Sequence, residues 1–208
     1  KCLPELLGPC DESKLQNKDG LYFQATQDLQ RHDAVNRKFV RNEEDTSLAQ
    51  TVKSGLEFLD ANHGCDNWFL QVECFDPHEP FFSPQCYREL YPDGYDGPDM
   101  DWPPYHHVTE DQTTAEHLKN EYAALLTMCD SYLGKVLDKF DELDLWKDTM
   151  LIVNTDHGYL LGEHGWWSKI VMPCYDEIAH TPLFIHDPRF DCDGETLSLI
   201  HISEPTRH

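Results

Sequence analysis

The chain has 208 residues, with 39 Asp and Glu against 16 Lys and Arg and a formal net charge of −23. That length suffices for one domain with a sizeable core. The charge balance excludes nucleic acid and anionic membrane surfaces as partners, since both need basic patches, and no apolar run reaches the ~18 residues of a bilayer span.

Lys1 to Glu44 is polar and mixed, without a clear period, and reads as a loop-rich connection with little chemistry. Asp45 or Thr46 can cap a helix running to about Asn62. Leu48, Val52, Leu56 and Leu59 form its apolar stripe, Gly64 suits a C-cap, and His63 reads as a solvated loop residue. Trp68 to Phe75 is a near-continuous apolar and aromatic run, which predicts a strand buried on both faces of a largely parallel sheet. Asp76-Pro77-His78-Glu79-Pro80 follows at its end, and the prolines fix where His78 points. Asp76 and Glu79 read as residues that orient the loop or His78.

Phe81 to His107 is rich in Pro, Asp, Tyr and Gly, with aromatics that can pack. It reads as an ordered excursion over the active-site face, where loops determine substrate choice. His106 and His107 read as surface or substrate-loop residues, because adjacent side chains rarely aim at one ion. Thr113 or Thr114 can open a long amphipathic helix whose stripe is Leu118, Tyr122, Leu125, Cys129, Tyr132, Val136, Phe140 and Leu143. Asp144 to Asp148 turns the chain into the apolar run Met150 to Val153, a buried strand; strand, helix, strand in this order is a crossover unit of parallel sheets.

That last strand ends in Asn154-Thr155-Asp156-His157-Gly158. Ligands bind beyond the carboxyl ends of strands in open α/β sheets. Asp156 and His157 offer oxygen and nitrogen to a divalent metal, and Gly158 permits a tight turn behind them. The tripeptide alone also fits a plain turn with a capping Asp and a surface His. Lys169 follows, then a short helix within Met172 to Ala179 and a short strand, Leu183 to His186. Of the eight cysteines none forms a C-x-x-C pair, which argues against a zinc ribbon or thioredoxin-type site. Cys74 and Cys129 read as small core residues.

The stretch LIVNTDHGYLLGEHGWWSK resembles the C-terminal signature of the type I sulfatases, in the alkaline-phosphatase-like superfamily. FLQVECFDPHEPF resembles the strand and loop carrying that family's substrate-binding histidine. YAALLTMCDSYLGKVLDKFDELDLWKDTMLIV resembles its long helix and metal strand, and YDEIAHTPLFIHDPR the helix and strand beyond. The resemblance runs from roughly Thr51 to Arg189. It implies a partial α/β fold of this type, truncated at both ends. It also implies Asp156 and His157 as metal ligands, His78 and Lys169 as catalytic and sulfate-binding residues, and a small-molecule or carbohydrate sulfate ester as substrate, the alcohol being a sugar or an aryl alcohol. The metal implied is calcium, or manganese or zinc in a phosphoesterase. The family nucleophile is a formylglycine matured from Cys or Ser in C/S-x-P-x-R; its hydrate attacks sulfur, and the covalent sulfate is then eliminated.

That nucleophile is expected to lie outside this sequence. Leu197 to Arg207, LSLIHISEPTR, resembles a translated transposase sequencing adapter, so residues 1–196 are read as the fragment of one catalytic domain and 197–208 as a non-native tail. Ser203-Glu204-Pro205-Thr206-Arg207 matches the nucleophile core formally but sits inside that tail. Cys2-Leu3-Pro4-Glu5-Leu6 has Leu6 where the Arg belongs. The N-terminus lacks a signal-peptide core, which favours the cytoplasm over the periplasm or secretion, on a start itself expected to be cut. The fragment as it stands is expected to be inactive and poorly soluble. Two rival readings are a phosphonate monoester or phosphodiester hydrolase of the same superfamily, which also carries His beside the metal-binding Asp, and a non-catalytic metal- or carbohydrate-binding relative.

Overall fold

The computed structural model describes residues 24–98, 100–190 and 194. The nucleophile look-alikes at Cys2 and Ser203 and the adapter-like tail lie outside them. In chain order the helices are α1 (Gln24–Asn36), α2 (Ser47–Asn62), α3 (Gln85–Arg88), α4 (Gln112–Glu142) and α5 (Asp176–Ala179). The strands are β1 (Leu151–Asn154), β2 (Leu160–Leu161), β3 (Trp167–Ser168) and β4 (Leu183–His186).

Helix α2 starts where its cap dictates: the Thr46 hydroxyl accepts from the Ala49 amide at 3.3 Å, satisfying one orphan donor of the first turn. Leu48, Val52 and Leu59 of its stripe are buried. The helix leaves through His63, whose backbone stays right-handed, so Gly64 is not the left-handed cap expected of it. Helix α4 begins at Gln112, one or two residues earlier than Thr113 or Thr114 suggest, because Asp111 accepts from the Thr114 amide at 2.9 Å. Leu118, Leu125 and Met128 face α2 across a core with Val52, Phe81 and Trp167. A second cluster joins Leu59, Phe140 and Leu145 to Trp68, Leu70 and Leu151.

Two expectations need correction. The first concerns residues 24–45, which are not a featureless connection: they hold α1 and two short 3-10 turns, Arg37–Phe39 and Glu43–Asp45. Arg37 fastens this region to the loop after Phe81 by pairing with Asp33 and Asp101, both at 2.5 Å. The second concerns the sheet. The α/β arrangement is present, but the pairing sense among the described residues is antiparallel: β1 lies against β4 with Ile152 opposite Ile185, and β2 against β3. Trp68 to Phe75 forms no strand. Its even-numbered residues Trp68, Leu70 and Cys74 pack against the helices, whereas Phe69 and Phe75 are exposed. An apolar run predicts two covered faces; here the helices cover one. Its close approach to α2 is permitted by Gly55, where a Cβ would come 2.9 Å from the Val72 Cγ2.

Candidate active site

The end of β1 delivers Asp156 and His157 into a turn, and α5 fixes that turn from behind. The Gly158 amide donates to the Ile178 carbonyl at 2.8 Å. A Cβ at Gly158 would collide with the Glu177 carbonyl oxygen, so this contact requires glycine. Asp156 Oδ1 accepts from the His157 amide at 2.9 Å, which leaves Oδ2 free, on a side chain 85% exposed. Desolvation pushes its carboxyl up, but the His157 ring, nearby amides and Lys169 outweigh this and hold it below the ordinary carboxylate range.

His157 Nδ1 lies 2.8 Å from the Gly158 carbonyl oxygen. A carbonyl only accepts, so Nδ1 carries the proton and Nε2 keeps its lone pair. A backbone carbonyl holding the far nitrogen is the arrangement that metal-ligating histidines use. Nε2 lies 3.8 Å from Asp156 Oδ2, a span that two ligands each about 2.0–2.6 Å from one ion can bridge. This donor pair fits a divalent cation. Among the described residues no cluster of three or more metal-ligating side chains occurs, so these two alone would supply only part of a coordination shell.

His78 reaches the same place from the loop after Phe75. Its Nδ1 lies 2.8 Å from the Glu79 carbonyl and 3.2 Å from Glu79 Oε2, so here too Nε2 is the acceptor nitrogen. The Phe75 ring packs against the imidazole at 4.5 Å. Lys169 arrives from the end of β3 and closes the group. Its Nζ is 2.8 Å from His78 Nε2, 3.4 Å from His157 Nε2 and 3.4 Å from Glu79 Oε2. The backbone on either side of Lys169 is left-handed, with Ser168 at φ 78° and Ile170 at φ 85°. A β-branched residue in that region is strained, and such strain concentrates where geometry matters for function. Three of the four residues singled out in the sequence therefore touch one another through a single ammonium, and the fourth, Asp156, adjoins His157.

The surrounding wall was less visible in the sequence. Tyr105, from the Pro-rich excursion, donates its hydroxyl to Glu79 Oε1. The Tyr159 ring lies 5.8 Å below the Lys169 Nζ. Burial first, and then the Glu79 carboxylate, push both phenols above their ordinary values, so both stay neutral. His106 and His107 stand apart as expected: the His106 carbonyl accepts from the Trp167 amide, and the His107 ring lies tilted against Trp166, with centroids 3.5 Å apart. His164 instead pairs with Glu177 at 3.1 Å and stacks on Tyr175.

The sulfatase family model matches residues 6–190. Human iduronate 2-sulfatase is 27% identical over 185 residues, an alignment covering 74% of this chain and 32% of that protein. An arylsulfatase of Clostridium perfringens is 24% identical over 152 residues, covering 66% and 31%. Among solved structures, the phosphonate monoester hydrolase of Agrobacterium radiobacter superposes with a TM-score of 0.57 at 20% identity, over 71% of this chain and 34% of its own. That of Silicibacter pomeroyi gives 0.56 at 24% over the same shares. The chain thus spans about a third of the length of the curated relatives it matches.

Proposed function

This chain belongs to the sulfatase family, and we propose that it forms part of a metal-dependent hydrolase of sulfate esters, with a small alcohol or a carbohydrate as the leaving group. The observation that carries this reading is the Lys169 ammonium set between His78 Nε2 and His157 Nε2. A fixed cation beside two imidazoles and a free carboxylate oxygen is a site built for an oxyanion next to a metal.

Asp156 Oδ2 and His157 Nε2 would hold the cation, calcium in a sulfatase. When bound, the ion supplies charge neutralisation on the sulfate oxygens and polarises the ester. Lys169 binds a sulfate oxygen through an ammonium that donates up to three hydrogen bonds. His78 Nε2 faces the same space; with Nδ1 also protonated, the imidazolium form gives its Nε2 proton to the departing alkoxide and is left as the neutral ring. Its Nδ1, held by the Glu79 carbonyl, keeps that nitrogen aimed inward. In this reading the nucleophile is the family's formylglycine, whose hydrate would attack the sulfur of the ester.

A second reading, hydrolysis of phosphonate monoesters or phosphodiesters with manganese or zinc, is favoured by the imidazole of His157 beside Asp156, which suits those ions. One kinetic panel separates the two: sulfate, phosphodiester and phosphonate esters of a single chromophore, offered to the full-length protein with each metal in turn. Fastest turnover of the sulfate ester, falling at least 100-fold in Lys169→Ala, is the expected result. Fastest turnover on a phosphorus ester overturns it.

A further inference from the structure

Glu79 lies one residue from His78 in sequence and 90 from Lys169, and the structure gives it contacts with both. Its side chain is only 5% exposed. One carboxylate oxygen, Oε1, accepts from the Tyr105 hydroxyl. The other, Oε2, lies 3.4 Å from the Lys169 Nζ and 3.2 Å from His78 Nδ1. No hydrogen bond is aligned on that buried oxygen, so it acts on its neighbours through charge. A buried carboxylate is costly unless it is compensated, and the compensation here is the Lys169 ammonium. Each therefore fixes the other, and Tyr105 fixes the carboxylate.

We infer that Glu79 is a positioning residue, braced by Tyr105, that holds the Lys169 ammonium and the His78 ring in register for the incoming oxyanion. This rests on the sulfate-ester reading for its catalytic consequence, though not for the brace itself. Lys169 stands on a strained stretch between Ser168 and Ile170, and its four-carbon stem is flexible. Without the Glu79 charge its Nζ keeps only the two imidazole nitrogens, one of which faces the metal position. The geometry points also to the job of the Pro-rich excursion: among its residues, Tyr105 carries the hydroxyl that reaches Glu79.

The test uses the full-length protein with Glu79→Gln, which keeps the shape and an acceptor for Tyr105 while removing the charge, and Tyr105→Phe, which removes one hydroxyl. The first arm measures acetylation of Lys169 by an N-hydroxysuccinimide ester, followed by mass spectrometry, with exposed Lys53 as the internal reference. Lys169 is expected to react at least fivefold faster in Glu79→Gln, and by a smaller factor in Tyr105→Phe, with Lys53 unchanged. Equal Lys169 rates in all three proteins overturn the proposal, as does a rise shared by Lys53, which signals general loosening. The second arm measures kcat and KM on a chromogenic sulfate ester. A displacement of about 1 Å at a reacting group costs on the order of 100-fold, so Glu79→Gln is expected to lose about that much in kcat/KM in a protein that still folds, at a melting temperature lowered by the buried ammonium left without its carboxylate. Glu79→Gln/Tyr105→Phe is expected to lose no more than Glu79→Gln alone, because both act through one carboxylate. A wild type inactive on every sulfate ester sinks the catalytic reading, whereas the labelling arm decides independently whether Glu79 holds Lys169.

Discussion

At Gly158 the absence of a side chain is itself structural. The turn holding Asp156 and His157 is pressed against α5 so closely that a Cβ meets the Glu177 carbonyl. Backbone cannot swing aside as a long side chain can. Gly158→Ala is therefore expected to cost about 3 kcal/mol, at the upper end of ordinary overpacking, and chemical denaturation measures it. Ile170 makes the opposite case. Its φ of 85° carries about 1–3 kcal/mol of strain, set against the ~1 kcal/mol entropic cost of a glycine. Ile170→Gly is expected to leave stability unchanged or raise it, while lowering turnover because Lys169 loses a fixed neighbour; a clear loss of stability in denaturation contradicts the strain. In the sequence, Asp156 and His157 stand out as an oxygen and a nitrogen donor at the end of an apolar run, whereas His78 and Lys169 are picked out by stretches that resemble the sulfatases. The sequence left Tyr105 and the Glu79–Lys169 pair unread, since a contact between residues 90 positions apart leaves no local pattern.

Elements were legible in proportion to their periodicity. The stripes of α2 and α4 repeat every three or four residues, and both helices form where that repeat places them. Helix α1 escaped notice because it is polar, and the one local sign of it was Asp33 four residues before Arg37, a spacing that pairs on a helix. The excursion after Phe81 is pinned to α4 by polar contacts as well as by the apolar packing of Phe81 and Tyr87. Asp93 Oδ2 lies 2.8 Å from His117 Nδ1 and accepts from the Asn120 amide at 3.1 Å, and the Tyr95 ring stacks on His117. Burial pushes the Asp93 carboxyl up, but the Asn120 and His117 hydrogen bonds win and hold it below its usual 3.8. A carboxyl lowered by folding stabilises the fold above its unfolded value and loses that contribution as pH falls through the folded value. Asp93→Asn keeps the acceptor and removes the charge. It is expected to lower the melting temperature at pH 5 to 7, with the gap from wild type closing as pH drops below 3.8. A gap that widens in acid contradicts the sign.

For the whole molecule, charge and exposed apolar surface oppose each other. The net charge of −23 favours dispersal. Yet Phe69 is 85% exposed, and Phe75, Ile152, Phe184 and Ile185 are more than half exposed as well. Ile152 and Ile185 stand opposite each other in the β1–β4 register and share one face of the ribbon, while Phe184, opposite Val153, stands on the other. Scattered apolar side chains are ordinary on a surface, whereas a contiguous group of large ones marks a face that binds something or associates. Trp68 to Phe75, expected as a strand covered on both faces, is covered on one: an apolar run says that a residue prefers cover, without saying which element provides it. Repulsion between acidic chains is screened within ~8 Å at physiological ionic strength, and apolar association is strengthened by excluded salts such as sulfate. The 208-residue chain by itself is therefore expected to self-associate, more so as sodium sulfate is raised. Ile185→Lys, which puts charge directly opposite Ile152 in the β1–β4 pair, is expected to reduce that association without lowering the melting temperature, because Ile185 is already more than half exposed. Sedimentation velocity across a concentration and salt series reads both effects. A monodisperse monomer at every salt concentration shows that the exposed aromatics form no sticky face.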